Sequence, residues 1–281
     1  MTSRQGWLRR VAVLAACAAA VAHADAQTRA DCERAYTPQR AQEGKDVIWA
    51  PTEDSMVGPM LEMAEVGPHD KLYDLGSGDG KIPIAAAKTF GATAVGIEYE
   101  RDLVQHARCL AAAEGVADRV AFIEADLFEY DFSDATVVTL YLLPHLNLRL
   151  QPKLLALAPG TRVVSYSFPI GDWEPDAQVD SFGDGSAFLW IVPANVQGSW
   201  RFRPVRGRGS FSLELEQTFQ HVRGTADGAL VEGRLRGDRI ELSFAGPEGP
   251  AQLAGTVTGD RIVATLTRGG TAVEYTATRR R

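Results

Sequence analysis

The sequence predicts an α/β fold followed by a small C-terminal antiparallel all-β domain. Three observations carry this. Residues 71–98 read as a strand, a glycine turn, a helix and a second strand. Short apolar runs keep alternating with amphipathic stretches as far as residue 192. Residues 197–281 then change to short alternating runs separated by glycine turns. Strand–helix alternation implies a largely parallel sheet covered by helices. Period-two runs between glycine turns imply an antiparallel meander. A chain of 281 residues has room for two such units.

The chain opens on a basic start, Arg4, Arg9 and Arg10, followed by an apolar run from Val11 to Ala22. Ala22-His23-Ala24 and Ala24-Asp25-Ala26 both fit small-x-small cleavage sites, so residues 1–26 read as a signal peptide. The run is too short to span a bilayer stably, so no membrane span is expected after cleavage. Leu14-Ala15-Ala16-Cys17 also resembles a lipoprotein box, but the apolar run continues past Cys17, which favours ordinary cleavage. Export, to a periplasm, is the expectation. Cys32 and Cys109 remain in the mature chain. They could pair in an oxidising compartment. The preferred reading leaves them unpaired, because Cys109 sits mid-helix beside an apolar face. Nothing has metal-ligand spacing.

Residues 27–46 form a polar N-terminal segment, and residues 47–196 the α/β domain. Val47 to Thr52 is extended. Asp54 or Ser55 is placed to cap a helix running to Ala64, with Met56, Met60, Leu61 and Ala64 on one face. This helix is expected to cover a ligand pocket, with Thr52 either beside the ligand or serving as a plain helix cap.

Lys71 to Leu75 is short and mostly apolar, so it reads as a buried strand. Gly76, Gly78 and Gly80 follow, separated only by Ser77 and Asp79. Such a turn lets a ligand approach the main chain. Ile82 to Phe90 is alanine-rich and helical, and Pro83 is tolerated in its first turn. Ala94 to Ile97 is the next strand, with Glu98 at its carboxyl end, where open α/β sheets bind ligands. The dinucleotide fingerprint needs G-x-G-x-x-G. Here the spacing is G-x-G-x-G, and Asp74 lies inside the preceding strand. That acid would repel a pyrophosphate. It suits S-adenosylmethionine (SAM), which carries a sulfonium and an ammonium instead. Glu98 is placed to accept hydrogen bonds from vicinal ribose hydroxyls.

Arg101 to Glu114 is a helix with a core stripe of Leu103, Val104, Ala107, Leu110 and Ala111, ended by Gly115. Val120 to Glu124 is a third strand, followed by Asp126 and Leu127. Ala135 to Leu140 is a fourth strand, leading into Tyr141-Leu142-Leu143-Pro144. Asn147 to Ala156 is helical, and Thr161 to Ser167 is a fifth strand. After the loop from Gly171 to Asp176, Ala177 to Phe182 and Ala187 to Val192 form a hairpin around Gly183-Asp184-Gly185. In residues 197–281, runs beginning at Ser210, Gln220, Ala229, Arg239, Ala251, Arg261 and Ala272 suggest an up-and-down sheet or barrel of about six or seven strands. It holds no catalytic constellation and reads as a binding or docking module, or a lid. Residues 197–281 carry 13 arginines and 9 acids, a balance of +4, so the rest carries −11 within the total of −7. That asymmetry supports two separate units, and the net charge of −7 argues against a nucleic-acid surface.

YDLGSGDG with its following helix resembles motif I of the class I methyltransferases, which use SAM as methyl donor. WAPT, ADLF, LNLRLQPKLL and FPIGDWEPD narrow the likeness to lysine methyltransferases of the ATP synthase c-subunit and adenine nucleotide translocase, with bacterial relatives. The likeness covers about residues 47–192. It implies a Rossmann-like seven-strand methyltransferase sheet. It also implies a cofactor site of Thr52, Asp74, Gly76, Ser77, Gly78, Glu98, Tyr99, Asp126 and Leu127. Asp126 would take the adenine amino group or simply cap the next turn. Tyr141 and Pro144 would line the methyl channel with Trp173 beside it, and Asp172 would orient the amine or cap its loop. His145 is a possible proton acceptor, though capping the next helix is favoured. The implied activity is methyl transfer to a protein lysine. A small-molecule acceptor and a non-catalytic SAM-binding role stay open as alternatives, and the oligomeric state is undetermined.

Overall fold

The computed structural model describes residues 27–42, 44–45, 48–181, 185–226, 228–245 and 249–280. Residues 1–26, expected as a leader and including Cys17, and Phe182-Gly183-Asp184 of the hairpin, lie outside the described residues.

Helix α1 (Arg29–Ala35) starts at Thr28, whose hydroxyl accepts from the Asp31 N–H while Asp31 accepts from the Thr28 N–H. This reciprocal cap satisfies otherwise orphaned donors. Helix α2 (Asp54–Met63) has Glu53 at its N-cap and no side-chain cap bond. Neither Asp54 nor Ser55 plays that part, because both already lie inside the helix. Pro59 is accommodated within it.

Strands β1 (Lys71–Leu75), β2 (Thr93–Glu98), β3 (Val120–Glu124), β4 (Val137–Leu140) and β5 (Arg162–Tyr166) run parallel. The hairpin β6 (Ala177–Ser181) and β7 (Gly185–Ile191) joins antiparallel, giving the order β3-β2-β1-β4-β5-β7-β6. Helices α3 (Lys81–Phe90), α4 (Arg101–Ala113) and α5 (Pro144–Leu155) make the crossovers. The buried face of α4 carries Leu103, Val104, His106, Ala107, Leu110 and Ala111, the three-and-four spacing of an amphipathic helix. Two apolar layers result. One, with Met56, Met60, Ile84 and Ala107, lies under α2, α3 and α4. The other, with Leu146, Leu150 and Leu154, lies under α5.

Helix α5 begins at Pro144, three residues earlier than the sequence suggests. A first-turn proline has no N–H to leave unpaired. His145 therefore lies in the first turn, exposed, and Leu143 is the N-cap. His145 does not cap the helix.

Cys32 of α1 and Cys109 of α4 form a disulfide with Cα atoms 5.7 Å apart. The expectation of unpaired cysteines is thus overturned. The face of α4 at Cys109 is the one α1 covers, where the Tyr36 ring also meets His106 edge-on at 5.7 Å.

The C-terminal unit is a closed barrel of eight strands: β8 (Gly198–Pro204), β9 (Phe211–Thr218), β10 (His221–Ala226), β11 (Ala229–Arg236), β12 (Arg239–Ala245), β13 (Ala251–Thr258), β14 (Arg261–Arg268) and β15 (Thr271–Arg279). The additional strand is β8, which pairs with both β15 and β9 and closes the ring. Closure removes the exposed edges an open sheet would present. Alternate side chains fill the inside, among them Trp200, Phe202, Leu213, Ile240 and Leu253. Gly224 is needed there, since a Cβ would lie 2.0 Å from the Glu214 carbonyl oxygen.

The barrel rests on the end of the sheet away from the glycine turn. Its contacts reach Gly160, just before β5, and the segment after β7, where the Ala194 N–H donates to the Gly237 carbonyl at 2.8 Å. Both lie at the amino end of β5, whereas the glycine turn follows the carboxyl end of β1. The barrel is therefore not a lid. The loop after β5 supplies the seam. Trp173, 1% exposed, stacks on Phe219 at 6.0 Å, and its carbonyl accepts from Trp190 Nε1. Gln220 Nε2 donates to the Glu174 carbonyl at 2.7 Å, and Arg234 pairs with Asp176 at 2.8 Å. We expect Trp173→Ala to cost about 3–5 kcal/mol, as large-to-small core changes do. Urea unfolding would check it, and a loss below about 1 kcal/mol would show that the seam is not well packed.

Candidate active site

The strand order reverses between β1 and β4, and ligands of such sheets bind outside the carboxyl ends at that point. Two cavities open there and meet. One is lined by Glu98, Tyr99, Asp126, Leu127 and Phe128. The other is lined by Thr52, Asp74, Ser77, Gly78, Asp79 and Lys81. Trp49, Ala50, Gly76 and Tyr141 line both.

The glycine turn makes this possible. Gly78 has φ +53°, and a Cβ on it would lie 2.5 Å from Trp49 Nε1. Its N–H donates to Glu98 Oε2 at 2.8 Å, and Glu98 Oε1 accepts from the N–H groups of Tyr99 at 2.8 Å and Glu100 at 3.0 Å. A carboxylate offers about four acceptor positions, so Glu98 keeps capacity for a hydroxyl. Ser77 Oγ is buried and has no partner.

Three acids crowd the turn. Asp74 is buried and accepts from Thr139 Oγ1 at 2.7 Å. Burial pushes its carboxyl up to about 7; the Thr139 hydroxyl opposes this, while Asp79 and Glu98 add to it. Burial also raises Asp79 against the pull of Lys81, and raises Glu98 against its backbone donors. Lys81 Nζ is tied to the Thr52 carbonyl at 2.8 Å and to Asp54 at 2.5 Å. A buried cluster of like charges without a matching cation is costly. A ligand bearing positive charge would relieve it.

Asp126 caps its turn and also borders the first cavity. Its Oδ1 accepts from the Phe128 N–H at 2.9 Å. Burial raises its carboxyl, but the Lys45 ion pair and the Phe128 N–H outweigh that and hold it below the usual carboxylate range. Tyr99 is half exposed, with Lys45 Nζ 5.0 Å from its ring centre. Leu127 lines the same cavity. Thr52 is buried at the second cavity and is not the helix cap.

The structure thus brings Thr52, Asp74, Gly76, Ser77, Gly78, Glu98, Tyr99, Asp126, Leu127 and Tyr141 to one cleft. Three expected residues are elsewhere. Pro144 starts α5, exposed, and lines neither cavity. Asp172 is an exposed loop residue lining neither. Trp173 belongs to the barrel seam, because its loop turns away from the carboxyl end of β5. Among the cleft residues outside the expected set are Trp49 and Lys45. The W-A-P-T run was a visible signal for Trp49. Lys45 had none, since its partner Asp126 is 81 residues away.

The donor set fits SAM. The acids and the unpartnered Ser77 Oγ suit its cationic amino-acid end, and Glu98 suits its ribose. Together with the strand order, this defines a class I, SAM-dependent methyltransferase. The profile of the ANTKMT methyltransferase domain matches residues 74–177. The chain is 45% identical over 152 residues to a protein-lysine N-methyltransferase of Saccharolobus islandicus, covering 52% of this chain and 94% of that protein. It is 36% identical over 129 residues to the adenine nucleotide translocase lysine N-methyltransferase of Mus musculus, spanning 46% of this chain and only 55% of that protein. A solved structure, an RNA methyltransferase from Salinibacter ruber in complex with S-adenosyl-L-homocysteine, shows 53% identity and a TM-score of 0.51, over 52% of this chain and 96% of that one. The chain belongs to the same methyltransferase family as the Saccharolobus protein, and its residues 74–177 match the ANTKMT methyltransferase domain.

Proposed function

We propose that the protein transfers a methyl group from SAM to a lysine amine of a protein, outside the cytoplasm. The observation that carries this is the junction of the two cavities. Its four residues, Trp49, Ala50, Gly76 and Tyr141, include no carboxylate, imidazole or amine. That wall takes no proton from the acceptor, so the amine gives up its proton to water before the methyl moves. When bound, SAM supplies a methyl group on a cationic sulfur, which leaves as a neutral thioether and needs no acid.

The chain's part is to bind, orient and desolvate. Asp74 and Ser77 would hold the methionine end, Glu98 the ribose hydroxyls, and Asp126 and Leu127 the adenine. Fixing the acceptor against the methyl can supply roughly 7–11 kcal/mol. A lysine must first lose a proton, given a reference pKa of about 10.4. Burial against Tyr141 and its neighbours lowers that value. Lysine as acceptor is supported by the Saccharolobus relative, which the chain covers over 94% of its length. An RNA acceptor is disfavoured by the −11 balance of residues 1–196, since phosphate contacts draw on lysine and arginine. The Cys32–Cys109 disulfide supports an oxidising compartment, in keeping with an exported protein.

Incubating the protein with radiolabelled SAM and cell-envelope extract tests the reading. A labelled protein band, with label on lysine after digestion, is expected. Label only in small molecules would replace the acceptor class. Glu98→Ala should weaken SAM binding by about tenfold to a hundredfold, the range for hydrogen bonds to a charged group. Calorimetry showing wild-type affinity would remove the ribose assignment.

A further inference from the structure

The carboxyl end of β5 carries an unusual turn. Ser167 has φ +66°, in a region non-glycine residues seldom adopt. The Phe168 N–H donates to the Tyr166 carbonyl at 2.9 Å across it. A three-residue turn with positive φ at its centre is rare and strained. It persists here because the surroundings over-determine it. Ser165 Oγ donates to the Phe168 carbonyl at 2.6 Å. Asn147 Nδ2, wholly buried on α5, lies 3.2 Å from that oxygen and 3.3 Å from the Pro169 carbonyl. The Ser167 N–H donates to the Ser186 carbonyl at 2.7 Å.

The turn sets aromatic rings against Tyr141. Tyr166 meets it edge-on with ring centres 4.6 Å apart. Phe168 lies nearly parallel to it, 20° between planes and 6.4 Å between centres. Tyr141 and Phe168 are both partly exposed, while Tyr166 is buried behind them. Tyr141 is also the side chain that borders both cavities. Backbone strain of this kind collects at functional sites, where holding one group in place is the return for it.

We propose that Tyr141 and Phe168, backed by the buried Tyr166, form the acceptor subsite, an aromatic wall for an alkyl chain ending in an amine or ammonium. Asn147 is a positioning residue, acting through the Phe168 turn. The methylene chain lies along apolar ring surface, and the faces of the rings attract the positive end. Phe168 is then the residue that selects such an acceptor, because Tyr141 is shared with the cofactor cleft and Tyr166 is buried. The inference rests on the amine-acceptor reading above.

The test uses the full protein loaded with S-adenosyl-L-homocysteine. The probes are Nα-acetyl-Nε-trimethyl-lysine methylamide, a permanent cation, and its uncharged counterpart Nα-acetyl-norleucine methylamide. Binding is followed by NMR of the aromatic rings. The cation should bind about tenfold more tightly than the norleucine probe. Phe168→Ala should abolish that difference. Phe168→Leu, which keeps apolar bulk without a ring face, should also reduce it. Both variants should hold S-adenosyl-L-homocysteine within about twofold of wild type, which shows that they are folded. In transfer assays both should raise the acceptor KM more than they lower kcat. Equal affinity of the two probes for the wild type would overturn the proposal, as would an unchanged KM in both variants. If label from SAM reaches protein lysine but Phe168→Ala is inert, only the subsite fails. If label reaches only a small amine but Phe168 governs its KM, only the protein-lysine reading fails.

Discussion

Asp74→Asn is expected to remove measurable SAM binding and, at the same time, to raise the thermal midpoint of the cofactor-free protein. Both follow from one burial. Asp74 is 4% exposed, beside Asp79 and Glu98, and its carboxyl is pushed up to about 7. Its unfolded value is near 3.9. Between these values the folded protein holds a proton that the unfolded chain has released. Stability therefore falls as pH rises through this window, and above about 7 the full penalty applies. A neutral asparagine keeps an oxygen to accept from Thr139 Oγ1 and escapes the penalty, which is on the order of a few kcal/mol. The same penalty is what a cationic ligand relieves. SAM affinity in the wild type should accordingly rise with pH up to about 7 and then level off, with proton release on binding in the lower range. Calorimetry in buffers of different ionisation enthalpy would measure that release. An Asp74→Asn protein that still bound SAM, or a wild type with no pH dependence between 5 and 7, would contradict the assignment.

Reduction of the Cys32–Cys109 bond is expected to destabilise the protein by about 2–5 kcal/mol. The two residues are 77 apart in sequence. For a loop of that size, the entropy removed from the unfolded chain approaches the upper part of the range. Besides the disulfide, α1 meets α4 through the Tyr36–His106 ring contact and the Arg29–Glu114 pair. Its ion pairs from Arg29 to Glu33 and Glu114 involve an exposed arginine, and such pairs contribute about 0–1 kcal/mol. The segment after α1 leads to Lys45 and Trp49 at the cleft, so SAM affinity should also fall severalfold. Urea unfolding with and without reductant gives the first number. The Cys32→Ala/Cys109→Ala protein should match the reduced wild type and ignore reductant. Identical midpoints for oxidised and reduced wild type would refute the expectation.

Much of the cleft was legible because its signals are local. Asp74, Gly76, Ser77, Gly78 and Glu98 lie within 25 residues, and the strand–turn–helix–strand that carries them is written in apolar runs and glycines. Asp126 and Tyr141 were equally visible, because each follows a readable strand. The loop residues failed for a shared reason. Asp172 and Trp173 follow β5 as Asp126 follows β3, yet their loop leaves the carboxyl end and turns down to the barrel. Only the partner at the far side, Phe219, shows that Trp173 is buried. Pro144 failed more narrowly, since a helix starting three residues early carries it away from the cleft.

Local signals alone dictated the repeating strand and helix units, the acid-and-glycine turn that selects a cation over a phosphate, and the change to antiparallel structure near residue 197. Those features depend on side-chain periodicity and on neighbours a few residues apart. Long-range packing settled the rest: the disulfide, the closure of the barrel by β8 on β15, the seating of that barrel at the far end of the sheet, and the strained turn that sets Phe168 by Tyr141. Each joins residues brought together only when the chain is folded, and a chain read one window at a time contains no term for that distance.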